Sequence, residues 1–498
     1  MSKNEEPLEL IFNKKKKTDR HNSTTPSIEI RNFPNNMNDY KVAWRGSDEE
    51  IDKSQRVPLT ETTAPLVALW IPPEFLEHSF PNSKTFIKSA MELKNEVVQA
   101  TWIRNGPRVK DPTMYTGVLG TAFLCFKAYL ATGSPQDLAL FTEIVDSCCA
   151  AAPTHPDNVT FLRGQAGIYA MGAVAAKIGD DKTRRDFFLD HFKRIGGRRV
   201  LSMGPVDEGS SLPCELLNGR VGFLYAALFI NKYISEEMVL WSMTGPVVDA
   251  VLASGRAHAT PECPLMYPWK SRRYFGASHG LAGIIQILLH FPLTEQDNKD
   301  IKGTLHYIVK KRYSRGNYRV SVEDERGDRL VHWCQGAPGI TMTLCKALEV
   351  FPVDNCLGEA AEAAADVVWE RGLLRRLGIC HGVSGNTYVF LAMYRSIGGK
   401  KHLFRARQFA GWLHKHAKRL LSTGEMHGGD HRHSLFEGLA GTACSWKVEQ
   451  HNVLKYSRRG VQKMHLKKCI QWLQVFDLSF HDISEETNTL HKFSMSCT

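Results

Sequence analysis

Cysteine is scarce in this chain, at 12 of 498 residues, and no two cysteines show the short paired spacing of a disulfide miniprotein or a zinc finger. No stretch approaches the roughly 18 uninterrupted apolar residues that span a bilayer. The start, MSKNEEPLEL, has no apolar core of a secretory signal, and Ser2 stands where N-myristoylation requires glycine. A reducing, cytoplasmic setting is therefore expected, in which cysteines serve as thiols, metal ligands or core residues. No recognised nucleic-acid motif is present, so no nucleic-acid partner is expected. The charge imbalance is modest: 63 Lys+Arg against 52 Asp+Glu leave a formal net charge of +11. Part of it lies in Lys14–Lys17, which read as a solvated run in a polar arm over residues 1–30; nuclear import or peripheral membrane contact is the secondary reading.

What is plentiful is glycine, with 39 residues, and much of it is periodic. The pattern G-x-x-G leading into an apolar run occurs seven times. Examples are YTGVLGTAFLCF from Tyr115, SHGLAGIIQILL from Ser278 and LFEGLAGTACSW from Leu435. The first glycines are Gly117, Gly164, Gly219, Gly280, Gly336, Gly382 and Gly438, separated by 47, 55, 61, 56, 46 and 56 residues. One such motif means nothing, but seven near a regular period define a repeat. Each is followed by a mostly apolar helix, such as Gly283–Leu289. Later in the period comes an amphipathic helix, such as Asp137–Cys149 with Leu138, Phe141, Val145 and Cys148 on one face. The expected fold is all-α: an α/α toroid of seven helical hairpins, apolar helices inside, amphipathic ones outside, with G-x-x-G at the inner-helix N-termini. An open α-solenoid is the alternative.

If the inner helices all run the same way, their N-termini converge on one mouth, where freed N–H groups and helix dipoles would attract an anion or a thiolate. Residues just before each first glycine then share one site. In order they include Arg163, Asn218, Ser278-His279, Cys334-Gln335, Cys380-His381 and Phe436-Glu437. Cys334 and Cys380 occupy one slot in adjacent repeats, and His381 follows Cys380. Two thiolates and one imidazole make a three-ligand zinc site with an open fourth position, the pattern of catalytic zinc. The competing reading is that both cysteines are ordinary core residues. His279 is a candidate general acid or base, because histidine titrates near neutral pH, or else a structural hydrogen-bonder. Glu215, four residues before Gly219, is placed to orient it. Arg163, Arg329, Arg375, Arg376 and Glu437 are candidates for binding anions or orienting substrate.

The strings MYPWKSRRYFGASHGLAG, LVHWCQGAPG, RGLLRRLGICHGVSGNTYVF, RARQFAGWL and SLFEGLAGT resemble those of LanC-like proteins, eukaryotic relatives of the cyclases that make bacterial lanthionine peptides. RNFPNNMNDY, near residue 31, resembles the family's N-terminal segment. The resemblance covers residues 31–446 and, among animal types, is nearest the third. It implies an α/α toroid, zinc on Cys334, Cys380 and His381, His279 as acid/base and Glu215 in place of an acidic partner. It also implies glutathione as partner and co-substrate, its thiol adding to dehydroalanine or dehydrobutyrine residues of a peptide or protein to form a thioether. Two stretches depart from the family. The segment before C-H-G is one residue shorter, leaving Arg375 or Arg376 as the glutathione-contacting cation. The stretch His427-Gly428-Gly429-Asp430 keeps only Asp430 of the second contact. From residue 447 to 498 the tail resembles nothing in the family, and a weakened seventh inner helix is expected there. The competing functions are a zinc- and glutathione-binding sensor without catalysis and a zinc-thiolate enzyme of the protein prenyltransferase kind.

Overall fold

The computed structural model describes residues 83–106, 108–152, 159–201, 212–234 and 237–445. The expected arm over 1–30, the start of the repeat region and the tail over 447–498 lie outside the described residues. Among the described residues are thirteen α-helices: α1 (Ser83–Val98), α2 (Val118–Thr132), α3 (Pro135–Ala150), α4 (Gln165–Ile178), α5 (Lys182–Ile195), α6 (Arg220–Ile234), α7 (Glu237–Ala257), α8 (Leu281–Leu288), α9 (Glu295–Lys310), α10 (Ala337–Val350), α11 (Asn355–Arg371), α12 (Val383–Ser396) and α13 (Lys400–Ser422). Residues 439–445 are also helical. The sheet among the described residues is one small antiparallel hairpin, β1 (Pro268–Trp269) with β2 (Arg272–Arg273). No helix among the described residues is long and apolar enough to cross a membrane.

The even-numbered helices are the inner ones. Every residue of α8 is buried, as is every residue of α12 from Val383 to Met393. Polar residues on these helices face other polar groups. The Ser384 and Thr442 hydroxyls meet at 2.9 Å, Asn386 donates to the carbonyls of Val331 and Gly372, and the Thr343 hydroxyl donates to Ala282. The odd-numbered helices carry one buried face, and most begin at a side-chain cap. Ser134, Asp181, Thr294 and Asp354 each accept a backbone N–H of the following turn, with Thr294 and Asp297 forming a capping box. Helix α1 completes the outer layer: Ser89 is bonded to His414 of α13 at 2.9 Å, and Lys94 to Asp137 of α3 at 2.6 Å.

Inner helices begin differently. The residue preceding each is the first glycine of a motif, without a side-chain cap. The loop ahead of it folds back, so that the first helical N–H donates to the carbonyl seven residues earlier. This occurs at Val118 to Asp111, Arg220 to Pro213, Leu281 to Tyr274, Val383 to Arg376 and Leu439 to Arg432, at 2.8–3.0 Å. In the fifth repeat the Asn317 side chain accepts from Ala337 instead, at 2.8 Å. The fold-back is why the motif needs its second glycine. A Cβ on Gly385 would lie 1.9 Å from the Ile379 carbonyl oxygen, and the residue six positions back crowds the equivalent glycine of every repeat. The expectation that the glycines leave these N–H groups free for an anion is thus corrected. The loop's own carbonyl takes the first N–H, and the mouth's chemistry falls to side chains.

These loops are joined round the mouth. Tyr115 N–H donates to Leu162, Phe161 N–H to Gly222, Cys334 N–H to Cys380, and Cys380 N–H to Phe436; Phe436 N–H returns to Tyr115 at 3.2 Å. Glu215 with His279, and Ser278 with the Cys334 carbonyl, complete the third-to-fourth and fourth-to-fifth links. Tyr115 stacks on Phe436 at 4.6 Å across the joint between the seventh and first repeats. Ring closure at the mouth therefore uses residues before 446, whatever follows them.

Candidate metal centre and acid–base pair

The two cysteine-bearing loops are held in register by the Cys334 N–H to Cys380 carbonyl bond, 3.1 Å long. As a result the Cys334 Sγ, the Cys380 Sγ and one His381 ring nitrogen lie within 4.8 Å of one another. Cys380 is buried, and Cys334 and His381 are half-buried. The close approach of Cys334, reinforced by burial, pushes the Cys380 thiol well above its ordinary pKa. Two thiolates at this spacing repel, and a cation between them removes the repulsion. The imidazole supports the same reading, since His381 Nε2 is buried with no hydrogen-bond partner among the described residues. Two soft sulfur donors and an imidazole suit zinc. All ten described cysteines are free thiols.

A second triple of metal-ligating types, His306, Asp354 and Cys356, lies between outer helices. Its carboxylate is occupied: Asp354 accepts from Lys302 at 3.0 Å, from His306 at 2.9 Å, and from the Leu357 N–H whose helix it caps. That arrangement is a capped helix with an ion pair.

The mouth also brings Glu215 to His279, with the carboxylate Oε2 2.8 Å from the ring Nδ1. Glu215 is only 1% exposed and also accepts the backbone N–H groups of Leu217 and Asn218, at 2.8 and 2.6 Å. An ionised carboxylate can only accept, an arrangement that puts the shared proton on Nδ1 and leaves Nε2 outside this bond. The Ser278 hydroxyl, next in chain, donates to the Cys334 carbonyl at 3.3 Å, tying this loop to the cysteine loop.

Arg376 and Asp430 also meet, at 4.0 Å, because the Arg376 segment pairs with His427. The positive charge of Arg376 reaches the ring nitrogens nearby. It is one of the forces lowering the pKa of His332, which burial chiefly, then His381, hold down to about 4. Arg375 is exposed. Arg163 lies farther round the ring, donating to Asn218 at 3.2 Å. Glu437 bonds His431 at 2.8 Å.

Two further residues stand at the mouth that the sequence pattern does not single out. Tyr115 sits against the sulfur pair; burial, then Cys380, raise its hydroxyl pKa far above the phenol range. A signal for it exists, since Tyr115 precedes Gly117 by two residues, as Cys334 and Cys380 precede their glycines. Trp269 stacks on the His279 ring, centroids 4.4 Å apart and 24° between planes. Nothing in the repeat marks it, because it belongs to the hairpin β1–β2.

A ring of inner helices carrying a Cys-Cys-His centre at one mouth defines the class of protein. Residues 108–448 match the lanthionine synthetase C-like protein family, and the chain belongs to it. Among curated relatives, "LanC-like protein GCL1" of Arabidopsis thaliana is 42% identical over 399 residues, covering 78% of this chain and 89% of the relative. "Glutathione S-transferase LANCL1" of Danio rerio is 35% identical over 354 residues, covering 68% of this chain and 83% of the relative. Among solved structures, nisin cyclase superposes with a TM-score of 0.57 at 16% identity, over 79% of this chain and all of that one, which establishes the shared fold.

Proposed function

We propose that the protein is a zinc-dependent thiol transferase, adding the glutathione thiol across the double bond of dehydroalanine or dehydrobutyrine residues in peptides or proteins. The observation that carries this reading is the meeting, on adjacent linked loops, of a Cys334–Cys380–His381 cluster with a Glu215–His279 pair. The glutathione in the name of the zebrafish relative supports the choice of thiol. Zinc held by Cys334, Cys380 and His381 would supply a Lewis-acidic open position that favours the thiolate form of a substrate thiol near neutral pH.

The chain's own groups account for the protons. Glu215 holds the Nδ1–H of His279, so Nε2 presents a lone pair that takes the proton of the incoming thiol. The sulfur lone pair forms a bond to the β-carbon of the dehydro residue. The alkene's π electrons move toward the α-carbon and its carbonyl, and the developing negative charge requires nearby donors. Nε2–H then delivers its proton to the α-carbon, leaving the thioether and a neutral imidazole. Arg376, beside Asp430, would hold a carboxylate of the tripeptide.

The test offers purified protein glutathione and a dehydroalanine peptide, follows the adduct by mass, and measures zinc in the same preparations. One zinc per chain is expected, lost on Cys334→Ala or Cys380→Ala together with adduct formation. Well-folded protein without zinc would overturn the centre. Zinc and glutathione bound with no adduct would identify a sensor rather than an enzyme.

A further inference from the structure

The hairpin β1–β2 is built unlike a connecting turn. Its two central residues, Lys270 and Ser271, both have positive φ, 49° and 59°, where Asn-Gly or Gly is the usual choice. Non-glycine residues stay in this region only where their surroundings over-determine it. The bracing is visible. Arg273 donates through Nε and through its backbone N–H to Glu323, at 2.6 and 3.0 Å, and its carbonyl accepts from Val322 at 3.0 Å. What the braced hairpin presents to the mouth is one indole face. Trp269 lies flat on the His279 imidazole, and Tyr274 touches both rings, with centroids 6.1 and 5.9 Å away. The Lys270 ammonium lies over the Trp269 ring at 4.6 Å.

His279 is therefore fixed from two directions. Glu215 sets which nitrogen carries the proton, but a single hydrogen bond leaves the ring free to swing about it. A stacked indole removes that freedom, because turning the imidazole out of parallel forfeits the contact over the whole ring face. We infer that Trp269 is a positioning residue, holding the His279 ring plane so that Nε2 faces the reacting carbon, with Lys270 and Arg273 holding the indole. The inference rests on the acid–base role proposed for His279. It adds a part of the machinery that lies outside the seven repeated motifs.

The experiment compares Trp269→Ala and Trp269→Phe with the wild type in the adduct assay, with zinc content as the control. Imidazole C–H resonances of ¹³C-histidine-labelled protein are recorded alongside, His279 being assigned by its absence in His279→Gln. Glu215 and Tyr274, which meet the His279 ring, and Lys270, which lies over the indole, are retained in both variants. For Trp269→Ala, kcat should fall about ten- to hundredfold, the scale of misplaced catalytic groups. KM for glutathione should stay within about twofold of wild type, zinc should be retained, and the His279 resonance should lose the upfield ring-current shift of the indole. Trp269→Phe, which keeps a stacking face, should recover most of the rate and part of the shift. Unchanged kcat and unchanged His279 resonance in Trp269→Ala would overturn the inference, as would a rate loss explained by lost zinc or raised KM. If the wild type forms no adduct, the proposed reaction fails on its own. The ring-current comparison still decides whether Trp269 holds His279.

Discussion

Glu215 Oε2 and His279 Nδ1 stand 2.8 Å apart although 64 residues separate them in the chain, and the carboxylate is the most deeply buried charge at the mouth. Its other contacts are backbone N–H groups of its own loop, so it has acceptor duties on both sides. Glu215→Gln keeps the shape and breaks the logic. The amide must turn its NH2 toward either the backbone donors or the ring, and a donor facing Nδ1 selects the wrong tautomer. Adduct formation should fall about 10²–10⁴-fold, the range ascribed to general acid–base catalysis. Zinc content should not change. A Glu215→Gln protein with wild-type rate would remove this pair from the mechanism.

The sequence leaves Arg375 and Arg376 as equal candidates for contacting glutathione, and their surroundings separate them. Arg376 lies 4.0 Å from Asp430 and its charge acts on His332 and His381. Arg375 is exposed and contributes its carbonyl, which accepts from the His427 N–H at 2.8 Å. If Arg376 holds a substrate carboxylate, Arg376→Ala should raise KM for glutathione about tenfold, as expected for one charge-assisted hydrogen bond. Arg375→Ala should change it less than about threefold. The reverse order, from initial rates at varied glutathione, would transfer the contact to Arg375.

Glycine has two physical roles here, and paired substitutions distinguish them. At Gly385 a Cβ would stand 1.9 Å from the Ile379 carbonyl oxygen and 2.8 Å from its carbon, so the fold-back loop carrying Cys380 and His381 must move. Gly385→Ala should destabilise by at least about 2–3 kcal/mol and weaken zinc binding. At Gly358, in outer helix α11, a Cβ would meet nothing within 4 Å, so Gly358→Ala should stabilise by about 0.5–1 kcal/mol through helix propensity. Thermal melts and zinc retention measure both. Equal effects at the two sites would mean that the fold-back is not the motif's constraint.

Much of this is legible in the sequence because repetition supplies a register. Once seven G-x-x-G motifs are aligned, the helix starts, the inner and outer layers, and the meeting of Cys334 with Cys380 follow from one slot. The same slot holds Tyr115 and Phe436, whose stacking closes the ring at the mouth. Tyr115 escapes a search for metal ligands only because a tyrosine is not an expected zinc donor. Trp269 is not legible, since its hairpin lies between motifs and three-dimensional bracing by Glu323 brings it to His279. The backbone fold-back is also hidden. A glycine in sequence announces conformational or steric freedom, but not that a carbonyl seven residues behind the helix start will take the N–H it uncovers.

On the far side of the inner layer, Lys127 of α2 is buried with 5% exposure. Its ammonium donates to the Tyr233 hydroxyl at 3.3 Å and lies over the rings of Phe123, Phe126 and Tyr233 at 5.1–6.0 Å. Burial lowers its pKa to about 8, partly offset by the charge of Cys444. In the unfolded chain the same group titrates near 10.4. Between those values the unfolded state holds the proton and the folded state does not, so stability rises with pH through this window. Below about pH 8 both states are protonated, and the full cost of burying the charge, on the order of 3 kcal/mol, is present. Lys127→Met removes the titration while keeping an unbranched side chain in the cluster. The difference in Tm between variant and wild type should therefore shift in favour of the wild type as pH rises from about 7.5 to about 9.5, the span that brackets the folded-state pKa. Calorimetry at the two pH values measures that shift directly. A difference that stays constant would show that the cluster accommodates the charged lysine without cost.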